Sequence, residues 1–176
     1  AYFPPGGGRH LSVPSSDAFD MGSGDFTIEC FVRSNASLGG TIVAKTHTYP
    51  SSNHSFVFIL STAGALIAYV STTGTSNTTS VASAAGVVPE LTWTHVAMVR
   101  SGNTLMVCAN GVVVASTAFS QPLFKSPTPL TIGALGETPS SFLTGYIDEL
   151  RITTGIARYP GAIPTESLPN TPPSLS

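Results

Sequence analysis

At 176 residues and 18.1 kDa the chain can bury roughly two-thirds of its unfolded surface in a single core, so it needs no disulfide or metal staple to fold. Charged residues are 9 % of the chain against roughly 25 % in ordinary domains, while 17 Gly and 14 Pro favour short strands and turns over solvent-exposed helices. A net charge of -2 gives no electrostatic grip on nucleic acid or anionic membrane, and no apolar run approaches the roughly 18 residues of a membrane-crossing helix. The N-terminus carries no signal-peptide pattern, so a soluble chain is expected.

Taken in order, Tyr2-Phe3 reads as a short strand broken by Pro4-Pro5-Gly6-Gly7-Gly8, and Arg9 to Val13 as a second. Ser15 to Gly22 has capping residues at its head and Gly at its end, giving a single helical turn with Phe19 and Met21 plugging the core. Asp25 to Arg33 alternates: Phe26, Ile28, Cys30 and Val32 form an apolar stripe opposite Thr27, Glu29 and Arg33, with Phe31 as the exception. Thr41 to Lys45 is the next strand. Ser55 to Ser61 and Ala65 to Ser71 are joined by Thr62-Ala63-Gly64, with Gly at the left-handed position of a hairpin loop, and a weaker strand lies near Thr78 to Ser83.

Trp93 to Arg100 places His95, Ala97 and Val99 on one face and Val96, Met98 and Arg100 on the other. Ser101-Gly102-Asn103 and then Asn110-Gly111 turn the chain through Thr104 to Ala109 and Val112 to Ser116. Both residues of Asn-Gly tolerate positive φ, so three consecutive strands form a meander. Leu130 to Leu135 and Gly145 to Ile152 are the last strands. Strict alternation in the latter puts Tyr146, Asp148, Leu150 and Ile152 on a mostly apolar face and Ile147, Glu149, Arg151 and Thr153 opposite. Ile156 to Tyr159 fits a single turn that folds back, and residues 160–176 form an extended Pro/Ser/Thr-rich tail after a domain of residues 1–159.

About a dozen short strands without a helical period give an all-β fold, an antiparallel two-sheet sandwich or jelly roll. Leu11-Ser12-Val13-Pro14, Gly24 to Glu29, Trp93 to Ala97, Leu105 to Gly111, Leu130 to Gly133 and Gly145 to Ile152 follow one another in an order that resembles the laminin-G-like, concanavalin A-like jelly rolls. Asp148 to Tyr159 is similar to copies of this domain in bacteriophage virion proteins, including tail and fibre components. The resemblance implies two curved sheets, a glycan- or protein-binding role and, in some members, calcium. Phe31 stands where many relatives carry Trp, and no acidic loop cluster is present.

Candidate chemistry is sparse. Cys30 and Cys108 fall on unlike faces and are expected to stay unpaired. Retaining glycoside hydrolysis needs two carboxyl groups about 5 to 5.5 Å apart, yet Asp148 and Glu149 are adjacent and face opposite ways, and Glu29 stands alone on its strand. No Gly-x-Ser-x-Gly elbow or zinc spacing occurs, and His95 reads as a partly buried residue satisfied by a backbone partner. Asp17 and Asp20 read as turn caps and Asp25 as a strand start, so no calcium or other cofactor is expected. The ligand-binding candidates are His47, Tyr49, Asn53 and His54 in one loop with Asn77 nearby, because planar amides, imidazoles and an aromatic ring suit sugars. Trp93, Asn110, Gly111 and Asp148 are assigned structural roles, Asp148 as the acceptor of turn amides that locks the last strand.

The expected function is a non-enzymatic virion adhesion module, facing outward, that docks on a capsid or tail protein and has host-surface glycan as its candidate ligand. The alternative is a purely structural decoration protein acting through protein contacts, and a hydrolase is disfavoured. Nucleic acid and membrane are not expected partners, whereas a homo-oligomer or larger assembly is.

Overall fold

The computed structural model describes residues 1–6, 8–35, 39–47 and 52–159. The strands among them are β1 (Tyr2–Phe3), β2 (Leu11–Val13), β3 (Phe26–Ser34), β4 (Gly40–Lys45), β5 (Phe56–Leu60), β6 (Leu66–Val70), β7 (Thr79–Ala82), β8 (Thr94–Ser101), β9 (Thr104–Ala109), β10 (Val112–Ala118), β11 (Leu130–Ile132) and β12 (Gly145–Thr154). A 3-10 turn at Asp17–Phe19 is the helical element, with Ser16 accepting from the Ala18 amide as its cap. One six-stranded sheet runs β1-β12-β3-β8-β9-β10 and the other β2-β11-β4-β5-β6-β7, with every strand pair antiparallel. This is the expected two-sheet sandwich of jelly-roll type.

The core lies between the sheets. The β3 stripe Phe26, Ile28, Cys30 and Val32 shares one buried cluster with Phe56, Phe58 and Leu60 of β5, Val96 and Met98 of β8 and Leu105 and Val107 of β9. Burying each such large side chain stabilises the fold by about 1.5 to 3 kcal/mol. Arg100 plugs one end of this core. Its guanidinium lies 5.0 Å from the Phe119 ring centroid and donates to the carbonyls of Gly22, Gly102, Ser120 and Gln121. Lys45, also buried, donates to Ser15 Oγ and the Thr128 carbonyl, so neither cation lacks acceptors.

Between β9 and β10, Asn110 and Gly111 both take positive φ, 47° and 78°, which fits the right-handed twist of the two strands. Gly64, at φ 74°, occupies the left-handed position of the hairpin joining β5 and β6.

Strand β12 departs from strict alternation. Asp148 stands opposite Phe31 and Arg151 opposite Glu29, so three steps on β12 match two on β3 and one residue is extra. The bulge is centred on Glu149, at φ 50°. It reverses the strand's phase: Ile147, Leu150 and Ile152 join the core, while Tyr146, Asp148, Arg151 and Thr153 align with the outer-face residues Arg33, Phe31, Glu29 and Thr27. The expected grouping of Tyr146 and Asp148 with Leu150 and Ile152 is therefore corrected.

After β12 the chain folds back, not as a helical turn but as a strap over residues 155–159. Gly155 donates to the Asp25 carbonyl, and the Thr27 hydroxyl donates to Ile156 O while accepting from the Arg158 amide. Ala157 and Tyr159 close over Ala97, Val99, Met106 and Cys108 on the outer face of the first sheet, forming a second apolar cluster. Cys30 lies in the main core and Cys108 beneath the strap, both as free thiols. The tail assignment, 160–176, lies outside the described residues.

Gly145, at φ 143°, starts β12 where a Cβ would sit 2.2 Å from Arg33 O. Gly145→Ala should lower stability by about 2 to 4 kcal/mol through combined strain and crowding, read as a lower urea midpoint with an unchanged slope.

Candidate functional site

The loop proposed from sequence is divided by the fold. His47 Nδ1 pairs with Glu137 Oε2, and the Glu137 amide donates to the His47 carbonyl. His54 turns inward and is fully buried, with its amide donating to Gly74 O. Burial brings the His54 imidazole down to about 4, against an opposing hydrogen bond from the Asn77 side chain. Asn53, at φ 48°, accepts from Ser126 Oγ through its carbonyl at 2.6 Å. The structure thus brings His54 and Asn77 together as an internal contact, with Asn53 holding the neighbouring backbone and His47 engaged elsewhere. Tyr49 lies outside the described residues.

A cluster not foreseen from sequence occupies the outer face of the first sheet. Glu29, wholly buried, receives Arg151 Nε at 2.7 Å on Oε1, and His95 Nε2 at 3.0 Å and the Tyr159 hydroxyl at 2.5 Å on Oε2. Arg158 Nε lies 3.5 Å from Oε1. Burial pushes the Glu29 carboxyl up, but hydrogen bonds from His95, Tyr159 and Arg151, with the Arg151 charge, outweigh it and hold the group below the usual range. The partner of His95 is therefore a carboxylate, not backbone. Its ring stands edge-on to both Phe31 and Tyr159, with centroids 5.4 and 5.5 Å away. A buried carboxylate with four donors around it is a fastener, and Glu29 has no exposed oxygen to offer a substrate. Cross-strand pairing of Glu29 with Arg151 was readable only with the bulge in place.

Beside this roofed region the same face carries partly exposed side chains among the described residues. Tyr2, Tyr146 and Arg33 are successive cross-strand partners on β1, β12 and β3, and Trp93 precedes β8 on the same row. The Tyr2 and Tyr146 rings stack with centroids 4.7 Å apart, and Trp93 lies 6.1 Å from Tyr146. The Arg33 guanidinium sits 5.6 Å from the Tyr146 centroid, with Nε donating to Leu91 O. Tyr2 is 50 % exposed, and Tyr146, Arg33 and Trp93 are half-buried. Asp148 is half-buried one row along, and among the described residues its carboxylate has neither a hydrogen bond nor an ion pair. The expected acceptance of turn amides by Asp148 thus has no bond to carry it.

The acids weighed for calcium are engaged elsewhere. Lys125 bridges Asp17 and Asp20, and Asp25 accepts from the Gly102 amide. Among the described residues no three His, Cys, Asp or Glu side chains converge on a metal-sized site.

Residues 5–157 match the Laminin_G_3 family model, described as the concanavalin A-like lectin/glucanases superfamily. The chain belongs to this superfamily. Among solved structures it is similar to the carbohydrate-binding module CBM40 of the Ruminococcus gnavus IT-sialidase bound to α2,3-sialyllactose, at 11 % identity and a TM-score of 0.64 over 85 % of this chain and 91 % of that one. Domains LG4-5 of the mouse laminin α1 chain give 12 % and 0.66 over 86 % of this chain and 40 % of theirs. A heptameric SAP-like pentraxin of Limulus polyphemus gives 14 % and 0.56 over 81 % and 74 %. The chain spans well under half of the laminin segment that it matches. At these identities the likeness is one of fold. No curated protein matches the chain.

Two pH windows are expected. His54 has a folded pKa below its unfolded value near 6.5, so its contribution is complete above that value and is lost as pH falls towards 4. Urea midpoints should record a fall of up to about 3 kcal/mol across that window, and His54→Gln should flatten it. Glu29, held low, contributes fully above its usual range, with loss setting in only at more acid pH. Glu29→Gln should lower stability by about 2 to 4 kcal/mol at pH 7, less than for a wholly buried pair because Arg151 regains water. Arg151 is 44 % exposed.

Proposed function

We propose that the chain is a non-enzymatic glycan-recognition module whose contact surface is the open part of the first sheet's outer face. The observation that carries this reading is the row Tyr2, Tyr146, Arg33 and Trp93, which leaves aromatic surface and a half-buried carboxylate beside it exposed to a ligand. Aromatic rings take the C–H faces of sugars, and polar groups at their margin take the hydroxyls. Superfamily membership supports the reading, as do neighbours described as carbohydrate-binding or bound to sialyllactose. The loop of His47, Asn53, His54 and Asn77 is a weaker candidate, since His54 is buried.

In its finer form the module belongs to a virion, where it docks on a capsid or tail protein, in a symmetric assembly of several copies, and meets host-surface glycan. That form rests on the sequence reading alone, in which Asp148 to Tyr159 resembles virion copies of the domain.

A glycan array followed by calorimetry should return at least one ligand whose binding weakens tenfold or more in Tyr146→Ala. A chain that binds none of the arrayed glycans, or a variant that binds as tightly as the parent, sinks the outer-face reading. Mass spectrometry of purified particles tests the virion part separately, and its absence from them removes that part alone.

A further inference from the structure

We infer that the ligand of this face is an uncharged, hydroxyl-rich glycan whose hydroxyls donate to the Asp148 carboxylate, an inference that rests on the glycan reading above. Tyr146 and Asp148 are two residues apart on the same face of β12, flanked by Arg33 and Phe31 on β3. That spacing sets aromatic surface and carboxylate roughly 7 Å apart, about the width of one or two sugar rings.

Asp148 carries the class assignment. A half-buried carboxylate has lost part of its water and here gains no protein donor among the described residues in exchange. The fold leaves two acceptor oxygens unspent at the edge of an aromatic row. A pair of neighbouring hydroxyls supplies the donors such a group lacks.

Charge decides between neutral and acidic sugars. Arg33 is the cation of the row, with its Nε committed to Leu91 O and its face to the Tyr146 ring. Asp148 and the exposed Glu149 both lack a cation within 4 Å among the described residues, whereas Arg151 and Arg158 are drawn to Glu29. Two uncompensated carboxylates against one partly committed guanidinium disfavour a ligand that brings a third carboxylate. The class is thus opposite to the acidic trisaccharide held by the Ruminococcus module.

The test uses the full chain and calorimetry, with mannan, dextran and galactan oligosaccharides as neutral probes and sialyllactose and polygalacturonate as anionic ones. At least one neutral probe should bind and the anionic ones at least tenfold more weakly. Asp148→Asn should weaken the neutral probe ten- to hundredfold, the loss of a charge-assisted bond. Its melting temperature should stay near the parent's. An anionic probe bound as well as the neutral ones, or Asp148→Asn binding unchanged, overturns this inference while leaving a glycan module in place. A chain that binds neither kind of probe overturns both.

Discussion

The Glu29 carboxylate is the constraint around which the first sheet is arranged. A charge in the middle of a sheet face is tolerated only with water or with donors, and here the donors come from β8, β12 and the strap together. The strap brings the Tyr159 hydroxyl and, with the same ring, the roof that excludes water. One carboxylate thus ties three separate parts of the chain and divides the outer face into a roofed half and an open half. Phe31 and His95 mark the border between them.

That arrangement depends on the one extra residue in β12. With strict alternation and Tyr146 outward, Arg151 would point into the core, and Glu29 would lose its closest cation. The bulge lets Tyr146 and Asp148 face out near the start of the strand and Arg151 face out after it, with Leu150 and Ile152 still packed inward. Glu149 takes the left-handed backbone that this requires. The Asp-Glu pair that invites a catalytic reading in the sequence is the place where the strand changes phase.

The readable parts of the fold were those decided locally. The alternation of β3, the Gly64 hairpin, the Asn110-Gly111 turn and the separation of the two cysteines each follow from period and turn chemistry within a few residues. The bulge does not, because whether two residues oppose one is decided by what β3 presents across the pair. For the same reason His95 could be placed on a face but not matched with Glu29, and Tyr159 could be folded back but not aimed. The loop of His47, Asn53, His54 and Asn77 has sugar-like composition, but burial of His54 is a property of the packed sheet beneath it. The aromatic row was hidden most completely, since Tyr2, Tyr146, Arg33 and Trp93 become neighbours only through cross-strand register.

The same extra residue bears on how copies of this domain behave when crowded together. β1 is in register with Gly145 and Tyr146, and Ala1 exchanges backbone bonds with Ile147, so among the described residues the outer edge of β12 from Asp148 onward has no partner strand. An unbroken edge of that length invites another chain to extend the sheet, the first step of ordered aggregation. The kink at Glu149 breaks the ladder of free amides and carbonyls near its start and sets a charged side chain at the break. Many copies can then be held side by side at high local concentration without their sheets running into one another.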